Sequence, residues 1–190
     1  MLKSNKSLYT ITLVFLIVQI MIMIGLVHIN RYDHLRSVVI TTSLWIIYTL
    51  LELKYQFKMN TYIRVLMVLS IFFDAYFGIF LDLYSSSFIF DKALHIFGSY
   101  SFSLFTYILV MQLQANLIDK KIKFILVICL GLSLGAIYEI SEFLTDTFSH
   151  PSPPSQPSLL DTDLDLIGNL TGSLLAGFHV ISRNFVNEKF

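Results

Sequence analysis

Between Leu8 and Val27 the chain carries no charged residue, and apolar runs of similar length recur through its 190 residues. About 20 consecutive apolar residues are what an α-helix needs to cross the hydrocarbon core of a bilayer. A soluble core of this size has no use for repeated runs of that length. Composition agrees, with 55% of residues hydrophobic and only 14% charged, against about 25% charged in soluble domains. The expected fold class is therefore all-α: a polytopic membrane protein with six transmembrane helices in one bundle, a single transmembrane domain over 1–190.

By length and hydropathy the spans fall at roughly 8–28, 35–53, 62–84, 91–113, 122–144 and 161–181. The second is short and is expected to be extended by snorkelling at Arg36 and Lys54. The third is interrupted by Asp74. Lys3 and Lys6 ahead of the first run imitate a signal peptide, but the run is longer than a signal core and lacks a small-x-small cleavage site, so it is expected as a retained span. The single cysteine, Cys129, lies in an apolar run, which excludes a disulfide framework and a cysteine metal site.

Basic residues set the orientation. With the N-terminus inside, the inner segments hold Lys3, Lys6, Lys54, Lys58, Arg64, Lys120, Lys121, Lys123, Arg183 and Lys189, and the outer ones only Arg31, Arg36 and Lys92. Both termini are thus expected in the cytoplasm. Acids sort the other way, toward the outside: Asp33, Asp82, Asp91, Glu139, Glu142, Asp146, Asp161, Asp163 and Asp165. All four prolines fall in the Pro/Ser-rich outer loop 147–160, which either caps the acidic end of the bundle or serves as a solvated spacer.

Helical spacing brings polar residues of several spans to one depth. Asp91 and His95 are four apart, about 6 Å along one helix face, and Gly98 continues that face. Gly131, Gly135, Glu139 and Glu142 form a stripe on the fifth span, and Asp161, Asp165, Gly168, Asn169, Gly172 and Ala176 form one on the sixth. Gly-x-x-x-Gly lets helix backbones approach closely in lipid, so Gly131, Gly135, Gly168 and Gly172 are expected to pack and to hold the acids together. Asp74, Gly78 and Asp82 supply a candidate fourth wall.

So many carboxylates cannot all stay ionised without a counter-charge. Shared protons, Lys92 with a protonated His95, or a bound divalent metal would each serve, and His95, Glu139, Glu142, Asp161 and Asp165 are the candidate ligands. Plainer roles compete. Asp91 and Asp161 suit helix N-caps, Glu142 suits the headgroup region, and Asp163, Asp146 and His150 suit solvated or loop positions. His28, His34 and His179 read as interfacial or incidental. His95, Glu139, Asp165 and Asn169 lie a turn or more inside their spans, where an ionised group costs at least ~2.5 kcal/mol near the centre.

The segments Phe90-Asp91-Lys92-Ala93-Leu94-His95-Ile96-Phe97-Gly98, Tyr138-Glu139-Ile140-Ser141-Glu142 and Asp161-Thr162-Asp163-Leu164-Asp165, followed by a small-residue helix, resemble the YjdF-like family of bacterial inner-membrane proteins. Similarity to the VanZ-like proteins associated with glycopeptide resistance is looser. The resemblance covers about 88–178, while the first three spans match only in hydropathy. Ile96 stands where the family usually has an aromatic residue, and the Pro/Ser loop is this chain's own. The resemblance implies no established activity.

The first-ranked expectation is a site near the outer leaflet of the bacterial plasma membrane that binds or processes an envelope lipid or its headgroup, with or without a metal. Glu139 and Glu142 would be the acid/base or ligand pair, His95 a ligand or proton shuttle, and Asp91, Lys92, Asp161, Asp165 and Asn169 the surrounding polar network. A cation- or proton-coupled carrier using Asp74 and a non-catalytic scaffold are the alternatives. Enzymatic activity stays undecided for want of a nucleophile or metal motif. The expected partners are the bilayer, an envelope lipid or a small cation; nucleic acid is not among them.

Overall fold

The computed structural model describes residues 2–113, 119–151 and 153–182, apart from the side chains of residues 2–5. Arg183 and Lys189 of the charge tally, the Lys3 side chain and Ser152 of the loop lie outside the described residues. Helices α1 (Leu2–His28), α2 (Tyr32–Tyr55), α3 (Thr61–Phe72), α4 (Leu83–Ser86), α5 (Phe88–Leu113), α6 (Lys120–Ser149) and α7 (Leu159–Ile181) make up the fold, with a π-helical stretch, Phe73–Phe80, continuing α3. Among the described residues there is no strand, and six helical segments are long and apolar enough to cross a membrane. Most extend past their expected ends, because hydropathy marks where a helix enters lipid rather than where its hydrogen bonds stop. The chain divides into two compact units, Met1–Ser86 and Ser87–Phe190.

In the first unit α2 buries Val38, Thr42, Trp45, Thr49 and Glu52, positions that recur every three or four residues and so share one helix face. Trp45 meets Phe15 of α1 edge-on, with ring centroids 5.8 Å apart. Further along, Ile22 and Leu26 of α1 pack with Val38, Ala75 and Ile79. Asn60 caps α3, its side chain accepting the Tyr62 N–H at 2.8 Å. Arg64, on the first turn of α3, is fully buried and donates from Nη2 to Glu52 Oε1 and to the Met59 carbonyl.

The third span does not run unbroken to Tyr84. Its helix ends at Phe80, and Asp82 adopts a left-handed φ of 59° before α4 begins. The reversal lets the Tyr84 hydroxyl donate to Asp74 at 2.6 Å. Asp82, expected among the converging carboxylates, receives the Arg31 guanidinium at 3.0 Å, and Arg31 also donates to the Ile79 carbonyl. His34, read as incidental, lies 2.7 Å from the same guanidinium.

In the second unit α5 and α7 run the same way and α6 runs against them, since Lys92 meets Asp165 near both starts while Gly131 of α6 faces Ser103 and Ser173. A Cβ on Gly172 would fall on the Ile96 carbonyl oxygen and 2.8 Å from the Tyr100 nitrogen. One on Gly135 would lie 2.6 Å from the Asn169 side chain, and one on Gly168 3.1 Å from the His95 Cβ. Gly98 differs: nothing stands within 4 Å of where its Cβ would be. The helix starts also differ from expectation. Ser158 caps α7, its Oγ accepting the Asp161 N–H at 3.2 Å, and Ser87 accepts the Phe90 N–H at the start of α5. Asp161 and Asp91 are therefore released from capping and point their carboxylates elsewhere.

Candidate functional site

The starts of α5 and α7 and the last turns of α6 bring eight of the expected site residues to one end of the second unit. Asp91, Lys92 and His95 come from α5, Glu139 and Glu142 from α6, and Asp161, Asp165 and Asn169 from α7. Asp165 is 1% exposed, Asn169 3%, Glu139 6% and His95 8%, the four that lie a turn or more inside their spans, and Asp161 in the first turn of α7 is buried as well, at 8%. Glu142 is half-buried and Asp163 is exposed.

Lys92 lies at one side of the group. Its ammonium donates to Asp91 Oδ2 at 2.8 Å, to Asp161 Oδ1 and to Asp165 Oδ2 at 2.9 Å. An ammonium has three N–H donors and no acceptor, so three carboxylates use all of them. The amine also lies 5.5 Å from the centre of the Phe88 ring. Charge-assisted bonds of this kind are roughly twice as strong as neutral ones.

His95 lies at the centre. Its Nε2 is 3.5 Å from Asp91 Oδ1 and 3.6 Å from Asp165 Oδ1, and its Nδ1 is 3.6 Å from Glu139 Oε1 and 3.3 Å from Asn169 Oδ1. The carboxylate separations exceed ordinary hydrogen-bond lengths. They match a different spacing, since two ligands each about 2.1 Å from a tetrahedral ion stand about 3.4 Å apart. Ligand atoms of His95, Glu139 and Glu142 lie within 4.8 Å of one another, and so do those of Asp91, His95 and Asp165. Glu139 Oε1 and Asn169 Nδ2 are buried without a hydrogen bond among the described residues.

Several contributors escaped the sequence reading. Ser99 and Ser173 hydroxyls both donate to the Asn169 carbonyl, at 2.9 and 2.7 Å, and lie 3.0 Å from each other. Each is four residues beyond a site residue, His95 or Asn169, so helical spacing could have found them. Tyr138 sets its ring edge-on to His95, with centroids 5.6 Å apart. His179, read as incidental, lies 2.6 Å from the Tyr100 hydroxyl.

Gln156, in the Pro/Ser loop, donates its amide to both the carbonyl and Oε2 of Glu139 at 3.0 Å. The loop itself is tied down by Asp146, whose carboxylate accepts the Ser155 and Gln156 N–H groups, each at 2.8 Å. Of the two roles open to this loop, these contacts are those of a cap. No periodic signal marks a glutamine in an irregular segment.

Five carboxylates thus face one ammonium and one imidazole, and the ammonium is fully used by three aspartates. Ligand atoms of His95, Glu139 and Glu142 remain within 4.8 Å of one another, a spacing suited to a cation. A family model described as "Predicted membrane protein (DUF2238)" matches residues 9–184. An uncharacterised protein of Thermotoga maritima is 32% identical over 117 residues, which are 57% of this chain and 56% of that relative. The matched stretch therefore spans little more than half of that relative's length. No solved structure matches the chain.

Proposed function

The chain belongs to the DUF2238 family of predicted membrane proteins, the family its motifs resemble, and we propose that its α5–α7 site binds a divalent cation and, through it, the phosphate-bearing headgroup of an envelope lipid. His95 Nδ1, Glu139 and Glu142 are the proposed ligands. The observation that carries this reading is Glu139 Oε1: buried, without a hydrogen bond, and 3.6 Å from His95 Nδ1. Metal-binding histidines typically give their other ring N–H to a carboxylate, and Asp91 and Asp165 stand on the Nε2 side at 3.5 and 3.6 Å, a contraction of a few tenths of an ångström short of that bond. Lys92 holds those aspartates in turn. One nitrogen with carboxylate oxygens suits Zn²⁺, Mn²⁺ or Fe²⁺.

Lipid enters through position and charge. The proposed site is near the ends of three helices long and apolar enough to cross a membrane, which would set it toward the headgroup region. A surplus of carboxylates repels an anionic headgroup unless a cation stands between them. Under the basic-residue asymmetry this end faces outward from a bacterial plasma membrane, with both termini cytoplasmic. Asp74, hydrogen-bonded by Tyr84, has no place in the proposed site.

The test uses the full chain, purified in detergent without chelators. Elemental analysis is expected to find a stoichiometric divalent ion that Glu139→Gln loses while helical content by circular dichroism is unchanged. Native mass spectrometry is then expected to show phosphatidylglycerol retained by the loaded wild type and released with the ion. A folded wild type that takes up no divalent ion, or a Glu139→Gln variant that binds as well as wild type, sinks the proposal.

A further inference from the structure

We propose that segment 153–158 is a latch that sets the cation affinity of the site, with Gln156 as its positioning residue; the inference rests on the cation reading above. The latch is built from α6 itself. Glu139 and Asp146 are seven residues apart, so they lie on the same face of α6 about two turns from each other. Both oxygens of Asp146 are used, Oδ1 on the Ser155 N–H and Oδ2 on the Gln156 N–H. This clamps the backbone of the segment to the last turns of α6 and leaves the Gln156 side chain directed back at Glu139. Pro153, Pro154 and Pro157 restrict the same stretch. A fixed φ lowers the entropy lost when a segment is held in one path.

The consequence falls on Glu139. Gln156 Nε2 bridges the carbonyl and Oε2 of that one residue, which fixes its side-chain rotation. With Oε2 held, Oε1 is the oxygen turned to His95 Nδ1. Groups that orient a ligand in this way typically account for 10–100-fold in metal affinity. Among the described residues, Gln156 reaches Glu139 from a connecting segment rather than from a helix.

The experiment is a Mn²⁺ titration of the full chain in detergent, followed by electron paramagnetic resonance. Gln156→Ala is expected to weaken binding about 10–100-fold at unchanged helical content. Gln156→Asn, which keeps the amide on a stem one methylene shorter, is expected to recover part of that loss. Asp146→Ala, which frees the backbone but leaves the amide side chain, should fall between wild type and Gln156→Ala. It should also speed amide hydrogen exchange at residues 155 and 156. Wild-type binding with an unchanged Kd in Gln156→Ala overturns the latch and leaves the cation site standing. A lowered melting temperature with unchanged Kd overturns it equally, because it marks a purely structural contact. No Mn²⁺ uptake by wild type overturns the cation reading and the latch with it.

Discussion

The two units bury charge in contrasting ways. In the first, Arg64 and Glu52 form a pair of opposite charges, the guanidinium 0% and the glutamate 4% exposed. In the second, five carboxylates gather around Lys92 and His95. A one-to-one pair is complete in charge, since each ion answers the other in a medium that offers no water, although Glu52 Oε2 and Arg64 Nε and Nη1 are buried without a hydrogen bond among the described residues. A surplus of one sign has to be answered by shared protons or by a cation, and the site proposed above takes the cation. Balance suits a structural role for the first unit's pair, and imbalance is what supports the proposal of a site in the second.

Removing one member of each group is the most direct way to break this comparison. Arg64→Ala strands Glu52 in the interior and is expected to cost about 3–5 kcal/mol of stability, read as a lowered melting temperature in detergent. Replacing the whole pair, Arg64→Met with Glu52→Leu, should return close to wild type, because no charge is left stranded. A single variant no worse than the double would show that the pair holds nothing together.

Lys92→Met comes next in size. Its aspartates are nearer the end of the helices, and the Lys92 side chain is 15% exposed, so about 2–3 kcal/mol is expected. The distinguishing feature is rescue. Excess Mn²⁺ should restore part of the Lys92→Met loss, because a divalent ion can replace the missing positive charge. It should do nothing for Arg64→Ala, whose single glutamate is enclosed. Equal behaviour of the two variants toward Mn²⁺ would erase the distinction between the units.

Much of this was legible before any coordinates. Repeated apolar runs gave the helical membrane class, because a polar backbone in lipid has few ways to satisfy itself. The Glu-x-x-Glu pair, Asp91, Lys92, His95, Asp161, Asp165 and Asn169 could be grouped because each lies at a definite helical position and depth. Ser99 and Ser173 lie at helical spacing from His95 and Asn169, but the other contributors have no period. Arg64 was counted as an inner flanking charge, since nothing in the spacing of residues 52 and 64 announces a bond between neighbouring helices. Gln156 was invisible for the same reason within an irregular segment. The capping roles open to Asp91 and Asp161 went to Ser87 and Ser158, four and three residues earlier. A serine at the edge of a loop is too common to outrank an aspartate on composition alone.

Glycine contacts give the finest test, because they address why the second unit's charges are close at all. Gly172 leaves no room for a Cβ against the backbone of α5 at Ile96 and Tyr100, whereas Gly98, on α5 itself, has open space around its missing side chain. A backbone atom cannot rotate away as a side chain can. Gly172→Ala must therefore push α7 off α5, at about 1–2 kcal/mol. Gly98→Ala should cost nothing and gain up to about 1 kcal/mol from helix propensity. The same shift moves Asn169 and Asp165 on α7 relative to His95 on α5, so Gly172→Ala should weaken Mn²⁺ binding as it lowers the melting temperature, and Gly98→Ala should change neither for the worse. If Gly172→Ala melts lower yet binds Mn²⁺ as wild type does, close helix packing and cation binding are independent, and the glycines serve the fold alone.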